Sequence, residues 1–139
     1  MFRAAFVPAA AVAVLIVGAP SAAAVPVYQT ATSLAISGTV GVGCTVTLTA
    51  TVTSTPPPID AGQVRFYLDD SVDLGQPTLK SGKASVTWTP IAAQAGSHEL
   101  VAFYTGFNNN DQEAWTSSGA RVVVNVANAI NLGSACVPF

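Results

Sequence analysis

The chain has 139 residues, of which 50% are hydrophobic and 9% charged, a balance that excludes a charge-rich disordered protein. Five Lys and Arg against seven Asp and Glu leave a net charge of -2, so the chain carries neither an electrostatic footprint for nucleic acid nor a polybasic membrane patch. One His, two Cys and one Met are too few for a metal cluster, a haem site or most nucleophilic triads.

The chain opens with a short basic start, Met1, Phe2 and Arg3, and residues 4–17 are then apolar apart from Pro8. This run is shorter than the roughly 20 residues a bilayer core requires, so it reads as the apolar stretch of a secretory signal and not as a span. Gly18, Ala19, Pro20 and Ser21 break its helix, and Ala22-Ala23-Ala24 places small residues where a signal peptidase needs them. Cleavage is expected after Ala24, giving a signal peptide over 1–24 and a mature chain from Val25. A buried helix of a cytosolic fold would leave the preceding Arg3 and the small-residue site unexplained. No second apolar stretch of spanning length follows, and Cys44 lies too far downstream to carry a lipid anchor. The expected location is therefore outside the cell, free or associated with the wall.

From Val25 the apolar residues recur at period two with Thr and Ser between them, and turn residues interrupt at roughly 8 to 12 positions. A first strand is expected over 32–37, ahead of a turn over 38–43. The clearest strand covers 44–52, with Cys44, Val46, Leu48, Ala50 and Val52 on one face and Thr45, Thr47, Thr49 and Thr51 on the other. Thr55-Pro56-Pro57-Pro58 cannot donate to a ladder and ends it. The pattern resumes over 62–68, with Val64, Phe66 and Leu68 inward, until Asp69-Asp70-Ser71 turns the chain. Strands over 77–80 and 83–89 flank Ser81-Gly82, a two-residue hairpin connection, and Ala84, Val86 and Trp88 share the inward face. Residues 91–95 have room for one helical turn. The strand over 98–105 alternates Leu100, Ala102 and Tyr104 against Val101 and Phe103. The last strand, over 121–126, turns Val122, Val124 and Val126 inward. Seven strands without a helix of any length predict an all-β, two-sheet sandwich.

The order of these elements resembles the bacterial Ig-like domains of secreted and surface proteins. The resemblance rests on Thr32-Ser33-Leu34, Val40-Gly41, the run from Val46 to Val52, and Gly62-Gln63-Val64-Arg65-Phe66-Tyr67. It continues through Leu74-Gly75, Gly82-Lys83-Ala84, Ala95-Gly96-Ser97-His98, Ala102-Phe103-Tyr104-Thr105-Gly106 and Ser117-Ser118 ahead of the last strand. It covers about residues 30–127 and implies an immunoglobulin-like sandwich over 25–127. It also implies a role in adhesion, spacing or display, with no catalytic residues. One domain in place of an array, no wall-sorting motif and two cysteines depart from the family pattern.

In such a sandwich the second strand starts at the pole where the last strand ends. Cys44 and Cys136 are therefore expected to meet in a disulfide that tethers the tail 128–139, as two cysteines of an exported protein ordinarily do. Closing so long a loop is worth about 4 to 5 kcal/mol in the chain-entropy model. This is not the inter-sheet bridge of antibody domains, because no Cys lies in the strand of Tyr104. No CxxC spacing supports a metal or redox site.

His98 is expected to be a solvated histidine after a turn, since no nucleophile elbow accompanies it. Asp69, Asp70 and Asp73 lack the spacing of a calcium loop and read as a polar turn. The loop over 106–118 is the most distinctive surface feature, exceeding a hairpin connection and combining amides with the aromatics Phe107 and Trp115. Phe107, Asn109, Asp111 and Trp115 are its candidate recognition residues, with Tyr28 a further exposed aromatic. The competing reading is that the aromatics fold back on the core edge. The expected function is a secreted or cell-surface module for binding, adhesion or structure. It would have no catalytic residue, metal or cofactor, an unknown protein or glycan as partner, and a monomeric state. A small secreted enzyme inhibitor or enzyme, or a carbohydrate-binding module using coplanar aromatics, are the alternatives.

Overall fold

The structure is a computed structural model that describes Gly18 and residues 23–55, 59–110 and 112–139. Most of the expected signal segment, the prolines at 56–58 and Asp111 lie outside the described residues. The strands are β1 (Val27–Tyr28), β2 (Thr30–Ser37), β3 (Val46–Ser54), β4 (Val64–Leu68), β5 (Val72–Gly75) and β6 (Lys83–Trp88). They continue with β7 (Gly96–Tyr104), β8 (Phe107–Asn108), β9 (Ala114–Trp115), β10 (Ser118–Val126), β11 (Ala129–Asn131) and β12 (Cys136–Pro138). A single 3-10 turn, Ala92–Gln94, occupies the expected helical position.

Seven of these strands build an immunoglobulin-like sandwich. One sheet has the order β2-β3-β6 and the other β10-β7-β4-β5, and all neighbours within both are antiparallel. Period-two patterning turns Val46, Leu48, Ala50 and Val52 of β3 toward Val64, Phe66 and Leu68 of β4 and Leu100, Ala102 and Tyr104 of β7, and all of these are buried. Trp88, Val124 and Val126 extend the same cluster, and Ile59 and Leu79 plug it from connecting segments. No charged side chain is buried among the described residues. Burying one Leu or Phe in this way contributes about 1.5 to 3 kcal/mol, so this single cluster is the dominant stabilising feature.

The expected strand over 77–80 is not formed; only isolated bridges join Gln63 to Thr78 and Lys80 to Lys83. Its place is taken by β5, because the chain reverses at once through the three residues Asp69, Asp70 and Ser71, where φ values of 52° and 58° at the aspartates suit a tight turn closed by Ser71 N donating to Leu68 O at 3.2 Å. Pro77 has no N–H for a ladder, and its carbonyl accepts from Val64 N instead. The Ser81-Gly82 turn does form, with reciprocal 2.9 Å bonds between Lys80 and Lys83.

The edge between β2 and β10 is laced shut at both ends. At one pole Thr30 Oγ1 donates to Thr116 O at 2.7 Å and meets Ser118 Oγ at 2.7 Å. At the other, Val42 N donates to Ala127 O at 2.9 Å in a parallel bridge. The opposite edge, where β5 and β6 lie side by side, has no further strand paired to it among the described residues.

Candidate functional site

The connection from β7 to β10 is not an irregular loop. Phe107 pairs with Trp115 and Asn108 with Ala114 in the β8–β9 ribbon, and β1 adds to β9 in parallel, Val27 opposite Ala114 and Tyr28 opposite Trp115. Ala114 N donates to Pro26 O at 2.9 Å and Thr116 N to Tyr28 O at 3.0 Å. The tip closes through Asn109 N to Glu113 O and Gln112 N to Asn109 O. Asn110 there adopts φ 40°, a left-handed conformation that Asn tolerates.

The ribbon gathers three aromatic rings. Trp115 lies 5.5 Å from Tyr28 and 5.9 Å from Phe107 between centroids, with the planes inclined by 40° and 38°. Trp115 is half-buried and packs against the core cluster. Its expected partner in recognition, Phe107, stays 37% exposed, and Asn108, Asn109 and Asn110 are exposed beside it. Asp111 is outside the described residues. The tilts leave no coplanar platform of the kind a flat sugar chain would need, which weakens the carbohydrate-module alternative at this pole.

At the opposite pole the polar residues are committed to one another. His98 is not solvated: its Nδ1 lies 2.6 Å from Asp69 Oδ2, and its side chain is only 20% exposed. Asp69 also accepts Glu99 N at 2.9 Å, and that backbone hydrogen bond, reinforced by His98, holds its carboxyl below the ordinary value of 3.8. Asp70 Oδ2 accepts from Arg121 Nη1 at 2.8 Å, and Arg121 also reaches Glu99 Oε1; these two carboxylates raise the guanidinium further above its ordinary range. Asp73 Oδ1 accepts Gly75 N at 2.8 Å. The three aspartates thus serve three separate tasks, in place of one shared ligand set. Sequence patterning missed this network, although the outward positions of β7 and β10, read at period two, put Glu99 and Arg121 on one face.

Cys44 and Cys136 are joined in a disulfide with Cα atoms 5.8 Å apart, spanning a separation of 92. The tail beyond β10 is a small hairpin in which Ile130 pairs with Val137 and Asn131 with Cys136. Trp88, expected inward, is 5% exposed within the core.

No curated protein and no solved structure matches the chain. A family model, Bacterial Ig-like domain (group 3), matches residues 21–127, and the three-on-four sandwich above is the fold this family implies. The chain belongs to the bacterial Ig-like domains of group 3.

Proposed function

We propose that the chain is an exported, surface-facing Ig-like module that acts by binding, without catalysis, and that its recognition element is the β8–β9 ribbon with Phe107, Asn109, Asp111 and Trp115. In this reading residues 1–24 are a leader removed on export, 25–127 the sandwich and 128–139 a tethered tail. The observation that carries it is the ribbon itself: it sets an exposed aromatic and a row of amides on a backbone fixed by β1 and by the half-buried Trp115. Exposed aromatic and amide side chains on a rigid support lose little entropy when they bind, and so favour contact with a protein or glycan surface. The non-enzymatic part is supported by the commitment of His98, Asp69, Asp70, Glu99 and Arg121 to structural pairs.

A second reading, strand addition at a sheet edge, is favoured at one place only: β2 and β10 are laced together, so an added strand would have to enter beside β5 or β6. Retention of the purified domain on intact bacterial cells and on isolated walls distinguishes the two. Phe107→Ala is expected to weaken retention by about 1 to 2 kcal/mol, some five- to thirty-fold, with unchanged far-UV dichroism. Undiminished retention in that variant, together with loss in Val72→Lys at the β5 edge, would move the site to the edge.

A further inference from the structure

The C-terminal hairpin is held to the body of the protein by very little besides its disulfide. Among the described residues its direct polar tie is Asn131 Nδ2 donating to Gly43 O at 2.9 Å. Its packing tie is Ala129, seated so closely over Gly41 that a Cβ on that glycine would lie 2.7 Å from the Ala129 methyl. The other hydrogen bonds are internal: Leu132 N to Ala135 O at 2.8 Å, Gly133 N to Asn131 Oδ1 at 2.9 Å and Phe139 N to Asn128 O at 3.0 Å. Ile130, Leu132, Val137 and Phe139 are all exposed, Phe139 by 78%, so the hairpin buries none of its large side chains. An isolated two-stranded hairpin is marginal in water.

The core of the sandwich, by contrast, is packed without this piece. The core cluster ends at Val126 and draws no residue from the tail. Cys44 is buried yet stands outside that cluster, just ahead of Val46 where the core begins. The parallel bridge of Gly41 to Ala127 closes the pole before the hairpin starts. Access is from the Cys136 side: Cys136 is part-exposed while Cys44 is 1% exposed, and both line an open cleft of about 350 Å³ with Thr39, Thr45 and Asn131.

We infer that the Cys44–Cys136 bridge is a redox latch on the hairpin alone, which a dithiol reductant opens to free β11 and β12 from the pole while the sandwich stays folded. One thiolate of the dithiol enters the cleft and attacks Cys136 Sγ. The sulfur–sulfur bond breaks, Cys44 leaves as a thiolate and takes a proton from water. The second thiolate of the reductant attacks the mixed disulfide and releases Cys136. Two electrons pass to the protein, and the dithiol leaves as its own disulfide. Freed from the bridge, the hairpin keeps the Asn131 bond and the Ala129 approach to Gly41, and its exposed apolar side chains give no reason to stay.

The test is hydrogen exchange resolved by segment, on the mature protein from Val25, before and after incubation with dithiothreitol in native buffer. The amides of Leu132 and Phe139 are expected to lose at least ten-fold in protection, while those of β3, β7 and β10 lose none beyond a lowered global limit. Cys136→Ser is expected to show the released hairpin without any reductant. Protection lost across β3 and β7 on reduction would mean that the bridge holds the sandwich, and would overturn the latch. So would a hairpin that keeps its protection once alkylation proves both thiols free. Reduction that proceeds only in denaturant would also overturn it, because the cleft would then give no access.

Discussion

Gly62 stands where the chain enters β4, at φ +92°, and a Cβ there would lie 2.7 Å from Tyr104 Cε2 and 2.9 Å from the phenol oxygen. Tyr104 is fully buried and donates its hydroxyl to Ala61 O at 2.9 Å, so glycine and ring are fitted to each other. Gly62→Ala meets a backbone penalty and a clash with a ring that cannot retreat, and a loss of about 2 to 4 kcal/mol is expected. Tyr104→Phe removes only the hydrogen bond and should cost about 0.5 to 1.5 kcal/mol. Denaturant midpoints of the two variants check the order; a larger loss for Tyr104→Phe would mean that the bond, and not the fit, holds this corner. Asp69 provides a pH test. Its folded carboxyl is held below 3.8, first by Glu99 N and then by His98, so its contribution is complete above that pH and is lost as the pH falls through the depressed value. Asp69→Asn should therefore flatten the acid limb of the stability curve. Parallel limbs for wild type and variant between about pH 4 and pH 2 would refute the assignment.

Among the elements, the strands of the sandwich were readable because one face of each is buried. In β3 the alternation of Val, Leu and Ala with Thr runs unbroken, and β4, β6, β7 and β10 lie within a few residues of their expected bounds. What escaped was decided by tertiary pairing. The ribbon over 106–118 has no apolar alternation of its own; it is fixed as β8 and β9 with the help of the chain's early segment, where Pro26 and Tyr28 supply two backbone acceptors and Tyr28 a ring. Likewise β5 lacks a buried face, with Val72 and Asp73 both exposed, and arises from the Asp69-Asp70 turn instead of from hydrophobic pattern. The ribbon's dependence on β1 is measurable. Tyr28→Ala removes one of the two rings flanking Trp115, at a cost of about 0.5 to 1.5 kcal/mol. It should shift Trp115 fluorescence to the red and speed exchange at Asn109 and Thr116, with Trp88 emission unchanged. An unmoved spectrum would show that the core contact alone fixes Trp115.

At the scale of the molecule, the two poles have opposite characters. The tail pole is tied by a covalent bond and by side-chain pairs around Asp69 and Arg121, whereas the ribbon pole is tied by the backbone of the chain's early segment. That segment begins very close to the expected cleavage site: after Ala24 only Val25 and Pro26 precede β1, and Pro26 O already accepts from Ala114. A leader cut after Ala24 therefore spares the ribbon's pairing with Pro26, Val27 and Tyr28, while a cut beyond Tyr28 removes that pairing. Protein recovered from culture medium should begin at Val25 by intact mass. Chains started at Val25 and at Ala31 give the energetic counterpart. The shorter one lacks β1 and the Thr30 contacts with Thr116 and Ser118, several hydrogen bonds worth about 1 kcal/mol each, so it should lose about 2 to 4 kcal/mol together with the slow exchange at Ala114 and Thr116. An exported chain found to begin beyond Thr30, or equal stability of the two chains, would mean that the early strand does not complete the ribbon, and the recognition surface proposed on it would fall with it.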